Sequence, residues 1–279
     1  MDESQADLTR RFAGIQRLYG GDALQRFQSA HVCVVGVGGV GSWAAEALAR
    51  SAIGWITLID LDMVAESNVN RQIHALGDAF GKAKTSAMAE RIRAINPACR
   101  VSEVEDFVSP DNLDRTLGQN FDYVIDAIDQ ARTKAAMIAW CKSHAIPLVT
   151  AGGAGGQIDP TRIELGDLAQ TIQDPLLAKV RALLRKEYGF TRETKKKFEI
   201  AAVFSSEPLR YPENGAHCDE APTGGGLNCS GYGSSVCVTA SFGLFAASEA
   251  LRHIAQQGRQ GKLSSQLASP CAFNSKSLA

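Results

Sequence analysis

Residues 31–62, HVCVVGVGGVGSWAAEALARSAIGWITLIDLD, carry the strongest fold signal in the chain. An apolar run ends in glycines, an alanine-rich segment of helical character follows, and a second apolar run ends in acidic residues. This order predicts a β-α-β unit. The turn between the first strand and the helix contains Gly36, Gly38, Gly39 and Gly41. Without side chains there, backbone N–H groups and the helix dipole can approach a phosphate.

Asp60 lies at the end of the second predicted strand, 24 residues after Gly36, and Asp62 follows in the same acidic turn. That spacing is close to the one at which a carboxylate accepts hydrogen bonds from ribose hydroxyls. The pattern therefore predicts a nucleotide site, with a tight turn that binds no ligand as the alternative. The glycines do not distinguish nicotinamide or flavin cofactors from ATP.

Strand and helix patterns continue to alternate after this unit. Strand-like segments cover residues 99–108, 121–128 and 146–153, and the helical segment 131–145 separates the last two. Alternation of this kind predicts an α/β, Rossmann-like fold, in which a mostly parallel sheet is covered by helices on both faces and binds ligands at the carboxyl ends of its strands.

The pattern changes after Gly156. Residues 161–168 and 197–205 resemble antiparallel strands on either side of a polar helix at 174–190, which we interpret as an antiparallel C-terminal extension facing the substrate. The predicted domain organisation is an N-terminal helical segment at 1–29, an ATP-binding domain at 30–257 that includes the extension from about 157, and a disordered tail at 258–279.

The composition limits the possible classes of protein. The 279 residues are 45% hydrophobic and 21% charged, which excludes a wholly disordered chain, and the net charge of −1 gives no global signature of nucleic-acid binding. The acidic, amphipathic start lacks the features of a secretory signal, so we expect a cytoplasmic protein. We interpret the apolar run 236–247 as a buried helix, the alternative being a membrane span. The seven cysteines form no C-x-x-C pair, so we expect reduced thiols and no zinc.

Cationic and amide side chains follow the second strand and its acids. The segment 67–72, SNVNRQ, supplies Asn68, Arg71 and Gln72, and Lys84 opens the next predicted helix. A lysine in the first turn of a helix opposes the macrodipole, and a bound anion would reverse that penalty. Cations are also what a nucleotide cleaved at its α-phosphate needs, because charge develops on the departing pyrophosphate.

Two aspartates lie near the end of the strand-like segment 121–128. Asp126 is inside the segment, and Asp129 directly follows it. Asp129 is a candidate ligand for Mg²⁺ bridging the phosphates, since magnesium commonly takes one or two carboxylates together with phosphate oxygens. Asp126 is a candidate contact for the same nucleotide. Helix capping is the alternative for both residues, because a helix is predicted from about Ala131.

Five ordered motifs, GVGGVGSWAAEALAR, LIDLD, SNVNRQ, GKAK and YVIDAID, resemble those of the ubiquitin-activating-type adenylating superfamily, over about residues 16–156. The resemblance implies that Gly38 and Gly41 hold phosphate, that Asp60 holds ribose and that Asp129 holds Mg²⁺. It also implies that Asn68, Arg71 and Lys84 contact the triphosphate, with Arg71 and Lys84 acting in catalysis. Arg17 is a candidate to reach the ATP of a partner subunit, the alternative being an ordinary surface arginine.

Further segments, among them NRQIHAL, ERIRAINPACRV and IPLVTAGGAGGQIDPT, resemble the branch of the superfamily that dehydrates N6-threonylcarbamoyladenosine in tRNA. The resemblance implies adenylation of the threonine carboxylate and closure of a ring by the carbamoyl group of the same side chain, an intramolecular step that proximity favours. Cys229 occupies the place of a cysteine in this family, where catalysis, sulfur acceptance and packing all remain open. We expect Cys237 to be a core residue.

The basic segment 181–197 is the candidate surface for the tRNA backbone, the alternative being a solvated charged face. Its cations are Arg181, Arg185, Lys186, Arg192, Lys195, Lys196 and Lys197. Residues 151–156 either line the acceptor site, offer carbonyls to a monovalent cation or form a close-packed turn. The resemblance also implies a homodimer and raises a cysteine desulfurase sulfur-acceptor system as a partner.

Three rival functions remain open from the sequence. An activator of a ubiquitin-like sulfur-carrier protein would use the same adenylation chemistry, although such activators usually carry two C-x-x-C pairs, which this chain lacks. A nicotinamide-dependent oxidoreductase would leave Arg71, Lys84 and Asp129 without a task. A non-enzymatic nucleotide sensor in a cysteine desulfurase pathway would bind ATP without turnover.

Overall fold

The computed structural model describes residues 7–193, 195–211 and 232–257. The strands in these residues are β1 His31–Val35, β2 Trp55–Ile59, β3 Arg100–Val104, β4 Tyr123–Asp126, β5 Leu148–Ala151, β6 Ile163–Asp167 and β7 Ala201–Ser205. The helices are α1 Leu8–Tyr19, α2 Gly21–Ser29, α3 Gly41–Arg50, α4 Lys84–Ile95, α5 Leu113–Leu117, α6 Ala131–Ser143, α7 Pro175–Glu187 and α8 Val236–Gln256.

The strands form one sheet in the order β3-β2-β1-β4-β5-β7-β6. All neighbouring pairs are parallel except β6 and β7, which are antiparallel. The predicted Rossmann-like fold with an antiparallel extension is therefore confirmed. Because β7 pairs with β5 in parallel, the extension widens the same sheet, and the carboxyl end of β7 lies on the edge that carries the glycine turn.

Helices cover both faces of the sheet, and each face has its own apolar core. On one face α2, α3, α4 and α8 bury side chains such as Phe27, Leu48 and Phe242. On the other face α5, α6 and α7 bury Met137 and Leu177. The continuous apolar runs of the central strands follow from this arrangement, since a strand covered on both sides has no solvent-facing positions.

Helix α8 crosses the start of α3 at very short range. A Cβ atom at Gly243 would lie 2.3 Å from the carbonyl oxygen of Val40 and 2.9 Å from the backbone nitrogen of Ala44. Only glycine permits this approach, which fixes the helix that follows the glycine turn. None of the helices within the described residues combines the length and the apolar character needed to cross a bilayer.

The prediction that Cys237 is a core residue is wrong. Cys237 is the second residue of α8 and is exposed. Cys237 lies in the first turn of α8 and on its outer face, whereas the next residue, Val238, is buried.

Two buried histidines make the stability of the fold pH-dependent. His31 stacks on Trp55 with ring centroids 3.5 Å apart, and burial lowers its pKa to about 4. His74 is buried with no partner for either ring nitrogen among the described residues, and burial, helped by the charges of Lys84 and Arg91, lowers its pKa to about 4. Both values lie below the ordinary value of 6.5 that applies in the unfolded chain.

We expect the free energy of unfolding to fall as the pH is lowered from about 6.5 to about 4. In this pH range the two histidines are protonated in the unfolded chain but remain mostly neutral in the folded chain, so acid favours unfolding. Denaturant unfolding across that range measures the slope. The His31→Gln, His74→Gln double variant should show a shallower slope than the wild type. Equal slopes in the wild type and the double variant would contradict this assignment.

Candidate nucleotide site

Some glycines in the turn after β1 are required by close contacts within the chain, and another leaves open space that a ligand could occupy. Gly36 has φ +85°, and a Cβ there would lie 3.0 Å from the backbone of Ala127. A Cβ at Gly41, the first residue of α3, would lie 1.8 Å from the carbonyl oxygen of Gly36. The chain itself therefore excludes side chains at these two positions. A Cβ at Gly38 would meet no atom within 4 Å, so this part of the turn has room for a phosphate.

Asp60, at the end of β2, binds the glycine turn directly. Its Oδ2 accepts a hydrogen bond from the backbone N–H of Val37 at 2.6 Å, and its Oδ1 accepts one from the backbone N–H of Asp62 at 2.9 Å. Burial raises the pKa of Asp60, and the charge of Lys84 and these two hydrogen bonds oppose that rise. Each carboxylate oxygen keeps a lone pair, so both can still accept a hydrogen bond from ribose.

Two cations lie beside the turn. Lys84 is the first residue of α4, and its Nζ forms an ion pair with Asp62 Oδ2 at 2.7 Å. The side chain of Lys84 is 8% exposed, whereas that of Asp62 is 58% exposed. Arg71 lies directly over Gly39, where a Cβ would be 3.1 Å from its Cγ. Burial lowers the pKa of Arg71.

The side chain of Arg71 is held by one backbone and one side-chain oxygen of the 67–72 segment. Arg71 Nη1 donates to the carbonyl oxygen of Ser67 at 2.8 Å and to Asn70 Oδ1 at 2.9 Å. Asn68 is buried and accepts a hydrogen bond from the backbone N–H of Ala65 at 3.0 Å. Gln72 is buried, and its side-chain oxygen has no partner among the described residues. Such a group is a candidate to bind a ligand or a water molecule.

Asp126 differs from both sequence interpretations, nucleotide contact and helix cap. It is fully buried at the end of β4 and forms a 2.8 Å ion pair with Lys134 of α6, which is also fully buried. Thr150 of β5 donates a hydrogen bond to Asp126 Oδ2 at 2.7 Å, and the backbone N–H of Ile128 donates to Oδ1 at 3.3 Å. Burial raises the pKa of Asp126, and Lys134 opposes the rise. Asp126 therefore stabilises the turn that follows β4 from within the protein core.

Asp129 lies in the turn that Asp126 supports. The residue is half-buried, and its carboxylate has no hydrogen bond or ion pair within the part of the chain that the structure describes. Helix capping is not its role, because the N-cap of α6 is Gln130. The turn contacts the glycine turn through Ala127, next to Gly36. A lone carboxylate beside a phosphate site fits Mg²⁺, which completes its ligands with phosphate oxygens and water.

The described residues contain no group of three or more His, Cys, Asp or Glu side chains arranged to hold a metal ion. Asp129 would therefore share an ion with phosphate oxygens. Arg17 is exposed on α1 and has no side-chain partner among these residues. Cys229, the third candidate for catalysis, lies outside the described residues.

The basic segment divides into two parts. The guanidinium of Arg181 is half-buried and hydrogen-bonds Thr171 Oγ1, and burial lowers its pKa. Arg185 lies 5.1 Å over the ring of Phe198. By contrast, Lys196 and Lys197 line an open groove of about 790 Å³ near the carboxyl end of α6, and Lys196 pairs with Glu193 at 2.7 Å. The remaining cations of the set, Lys186, Arg192 and Lys195, are exposed.

The fold and the site together define a nucleotide-binding α/β protein, with a glycine turn, a carboxylate bound to that turn and two cations at the carboxyl edge of a parallel sheet. Residues 9–276 match the ThiF family. The chain belongs to that family, and the resemblance to the adenylating superfamily is confirmed.

Relatives of known name match nearly the whole chain. The tRNA threonylcarbamoyladenosine dehydratase of Escherichia coli is 56% identical over 258 residues, which cover 90% of this chain and 96% of that protein. The crystal structure of the E. coli dehydratase TcdA with ATP matches with a TM-score of 0.82 at 52% identity, and covers 94% of this chain and 98% of that chain. The complex with AMP matches with a TM-score of 0.83 at 53% identity, and covers 91% and 98%.

Proposed function

We propose that this protein catalyses the ATP-dependent dehydration of N6-threonylcarbamoyladenosine in tRNA, next to the anticodon, through an acyl-adenylate. The observation that carries the proposal is the pair of cations, Arg71 over Gly39 and Lys84 beside Asp60 and Asp62, around a turn with room for phosphate. The similarity to a tRNA threonylcarbamoyladenosine dehydratase over 90% of the chain supports this choice of substrate. An oxidoreductase has no use for this arrangement of charge.

The positions of the side chains support the following chemistry. The threonine carboxylate attacks the α-phosphorus of ATP, and the bond to the β-phosphate breaks. Arg71 and Lys84 stabilise the negative charge that develops on the pyrophosphate, and the buried setting of Lys84 strengthens this effect. The mixed anhydride then has AMP as its leaving group. The carbamoyl group of the same side chain attacks the acyl carbon and loses a proton as the ring closes, the bond between the acyl carbon and the phosphate oxygen breaks, and AMP leaves.

Asp60 orients the ribose, Asn68 and Gln72 contribute amide groups near the phosphates, and Asp129 would hold Mg²⁺, whose charge would offset that of the triphosphate. Lys84 is paired with Asp62 in this structure, so nucleotide binding adds a second anion to a cation that is already partly neutralised. Asp62 therefore affects nucleotide binding through its ion pair with Lys84.

The protein is proposed to act in the cytoplasm as a homodimer in which Arg17 reaches the ATP bound to the partner subunit. Light scattering tests the dimer. Cys229 is proposed as a catalytic or sulfur-accepting thiol. The carbonyl oxygen of Ser234, five residues further along the sequence, accepts a hydrogen bond from Asn70 at 3.1 Å, so Ser234 lies beside the segment that contains Arg71. The cations of the 181–197 segment are proposed to contact the tRNA backbone, and residues 151–156 to offer carbonyls to a monovalent cation.

Mass spectrometry of nucleosides tests the reaction. Purified protein is incubated with ATP, Mg²⁺ and tRNA that carries N6-threonylcarbamoyladenosine, and the tRNA is then digested. The expected product is lighter by the mass of one water and is absent when either ATP or Mg²⁺ is left out. AMP release without any change in the nucleoside would reject the dehydratase function, and activation of a ubiquitin-like protein ending in Gly-Gly would support a sulfur-carrier activator.

A further inference from the structure

Two tyrosines form an aromatic pair on the surface. Tyr211 is 71% exposed, and its ring centroid lies 5.2 Å from that of Tyr232, with 58° between the ring planes. The two hydroxyl groups share a hydrogen bond, which raises the pKa of Tyr232. Large aromatic rings are normally buried at least in part, so the exposed ring of Tyr211, backed by the half-buried Tyr232, offers apolar area and a ring face that the fold does not use.

The pair is fixed to the loop after β5 by backbone hydrogen bonds. The N–H of Gly156 donates to the carbonyl oxygen of Gly233 at 2.8 Å, and the carbonyl oxygen of Gly156 accepts from the N–H of Arg210 at 2.8 Å. Gly156 has φ +72°, and a Cβ there would lie 3.2 Å from Cδ1 of Tyr232. Tyr232 therefore packs against Gly156, and the residues next to the two tyrosines, Gly233 and Arg210, are both bound to the backbone of this glycine.

The order of the strands places the tyrosine pair and Asp60, the carboxylate proposed to bind ribose, on opposite sides of the proposed phosphate site. Asp60 follows β2, the glycine turn follows β1, Asp129 follows β4 and the loop that holds the tyrosines follows β5. With strands about 4.8 Å apart, the end of β5 is roughly 14 Å from the end of β2. The adenosine of ATP would lie towards β2, so the β5 side is free for the substrate that carries the carboxylate.

Cations accompany the aromatic rings. Tyr211 lines a cavity of about 400 Å³ together with Arg181, Asp174 and Leu209. The side chain of Arg210, next to Tyr211, is 64% exposed. Aromatic rings beside arginines are the combination that binds unpaired nucleotides, because bases stack on the rings while cations contact phosphates.

We propose that Tyr211 and Tyr232 form a stacking platform for an unpaired base of the RNA substrate, at the β5 side of the nucleotide site. This inference rests on the proposed function, because it supplies the binding site for the RNA of that reaction. The base stacks on the exposed face of Tyr211, Tyr232 supports that ring from behind, and Arg210 and Arg181 contact the adjoining phosphates. The platform is separate from the lysine-lined groove near the end of α6.

The test compares two RNA probes and three variants. The probes are an anticodon stem-loop that carries N6-threonylcarbamoyladenosine and a fully paired duplex of equal length, both labelled for fluorescence anisotropy. Tyr211→Leu should weaken stem-loop binding about tenfold, as expected for loss of one stacked base, and leave duplex binding unchanged. Tyr211→Trp should keep the affinity, and its added fluorescence should be quenched by the stem-loop. The control Phe107→Leu, at an exposed aromatic beyond β3, should bind both RNAs like the wild type.

The outcomes separate the platform from the proposed function. Thermal unfolding and ATP affinity of Tyr211→Leu should match the wild type, because the residue is exposed and distant from β2. If the wild type binds the stem-loop and Tyr211→Leu binds it equally well, the platform is refuted while the proposed function stands. If the wild type binds neither RNA, both are refuted.

Discussion

Replacement of Lys84 or Arg71 with alanine is expected to lower the rate of tRNA-dependent AMP formation by about 100-fold or more, the usual cost of removing one group that stabilises transition-state charge. Lys84 is nearly buried and Arg71 is half-buried, so water cannot replace either charge efficiently. The measurement is single-turnover release of AMP at saturating ATP, with ATP affinity determined separately by calorimetry. The loss should appear mainly in the rate.

Lys82→Ala is the matched control for this experiment. Lys82 belongs to the same GKAK motif, but its side chain is 42% exposed and pairs with Glu90 on the surface at 2.9 Å. Its removal should change the rate less than about twofold, as is typical for a surface ion pair. If Lys84→Ala and Lys82→Ala proved equally active, the proposed role of the cations would be wrong.

Lys134→Met is expected to lower the free energy of unfolding by about 3–5 kcal/mol, because it leaves the carboxylate of Asp126 buried without its counter-charge. Both members of this ion pair are fully buried, and Thr150 is the other side chain that donates a hydrogen bond to Asp126. Protonation of Asp126, whose pKa burial already raises, would reduce the loss at acidic pH. Urea unfolding at neutral and mildly acidic pH measures both effects.

A double variant separates the buried charge from the loss of packing. Asp126→Asn together with Lys134→Met removes the unpaired charge, so its stability should exceed that of Lys134→Met alone. Lys82→Ala again serves as the control, with an expected change of about 1 kcal/mol or less for its exposed pair. Equal stability of Lys134→Met and the wild type would show that the pair is not needed for the fold.

Local patterns in the sequence were sufficient to predict the sheet and much of the candidate site. Each site motif directly follows a predicted strand, and parallel strands bring their carboxyl ends to one edge, so Gly36, Asp60 and Asp129 had to lie near one another. The buried Lys134 was missed, although a signal was present. Lys134, Ile138 and Cys141 share one face of α6 and are all buried, so a lysine in phase with an apolar stripe indicates a buried ion pair.

The positions that depend on contacts between distant segments became visible only in the folded chain. Gly243 and Val40 are in contact although they lie far apart in sequence, and so are Tyr211 and Tyr232. The run of basic residues around α7, continuous in sequence, is divided in space because Arg181 turns into the wall of a cavity. Hydrophobic periodicity and turn residues indicate whether a segment is a helix or a strand and which of its faces is buried. They therefore predict the elements and their order. How two elements pack is set by the shapes and charges of both, so the supports of the site required the tertiary structure.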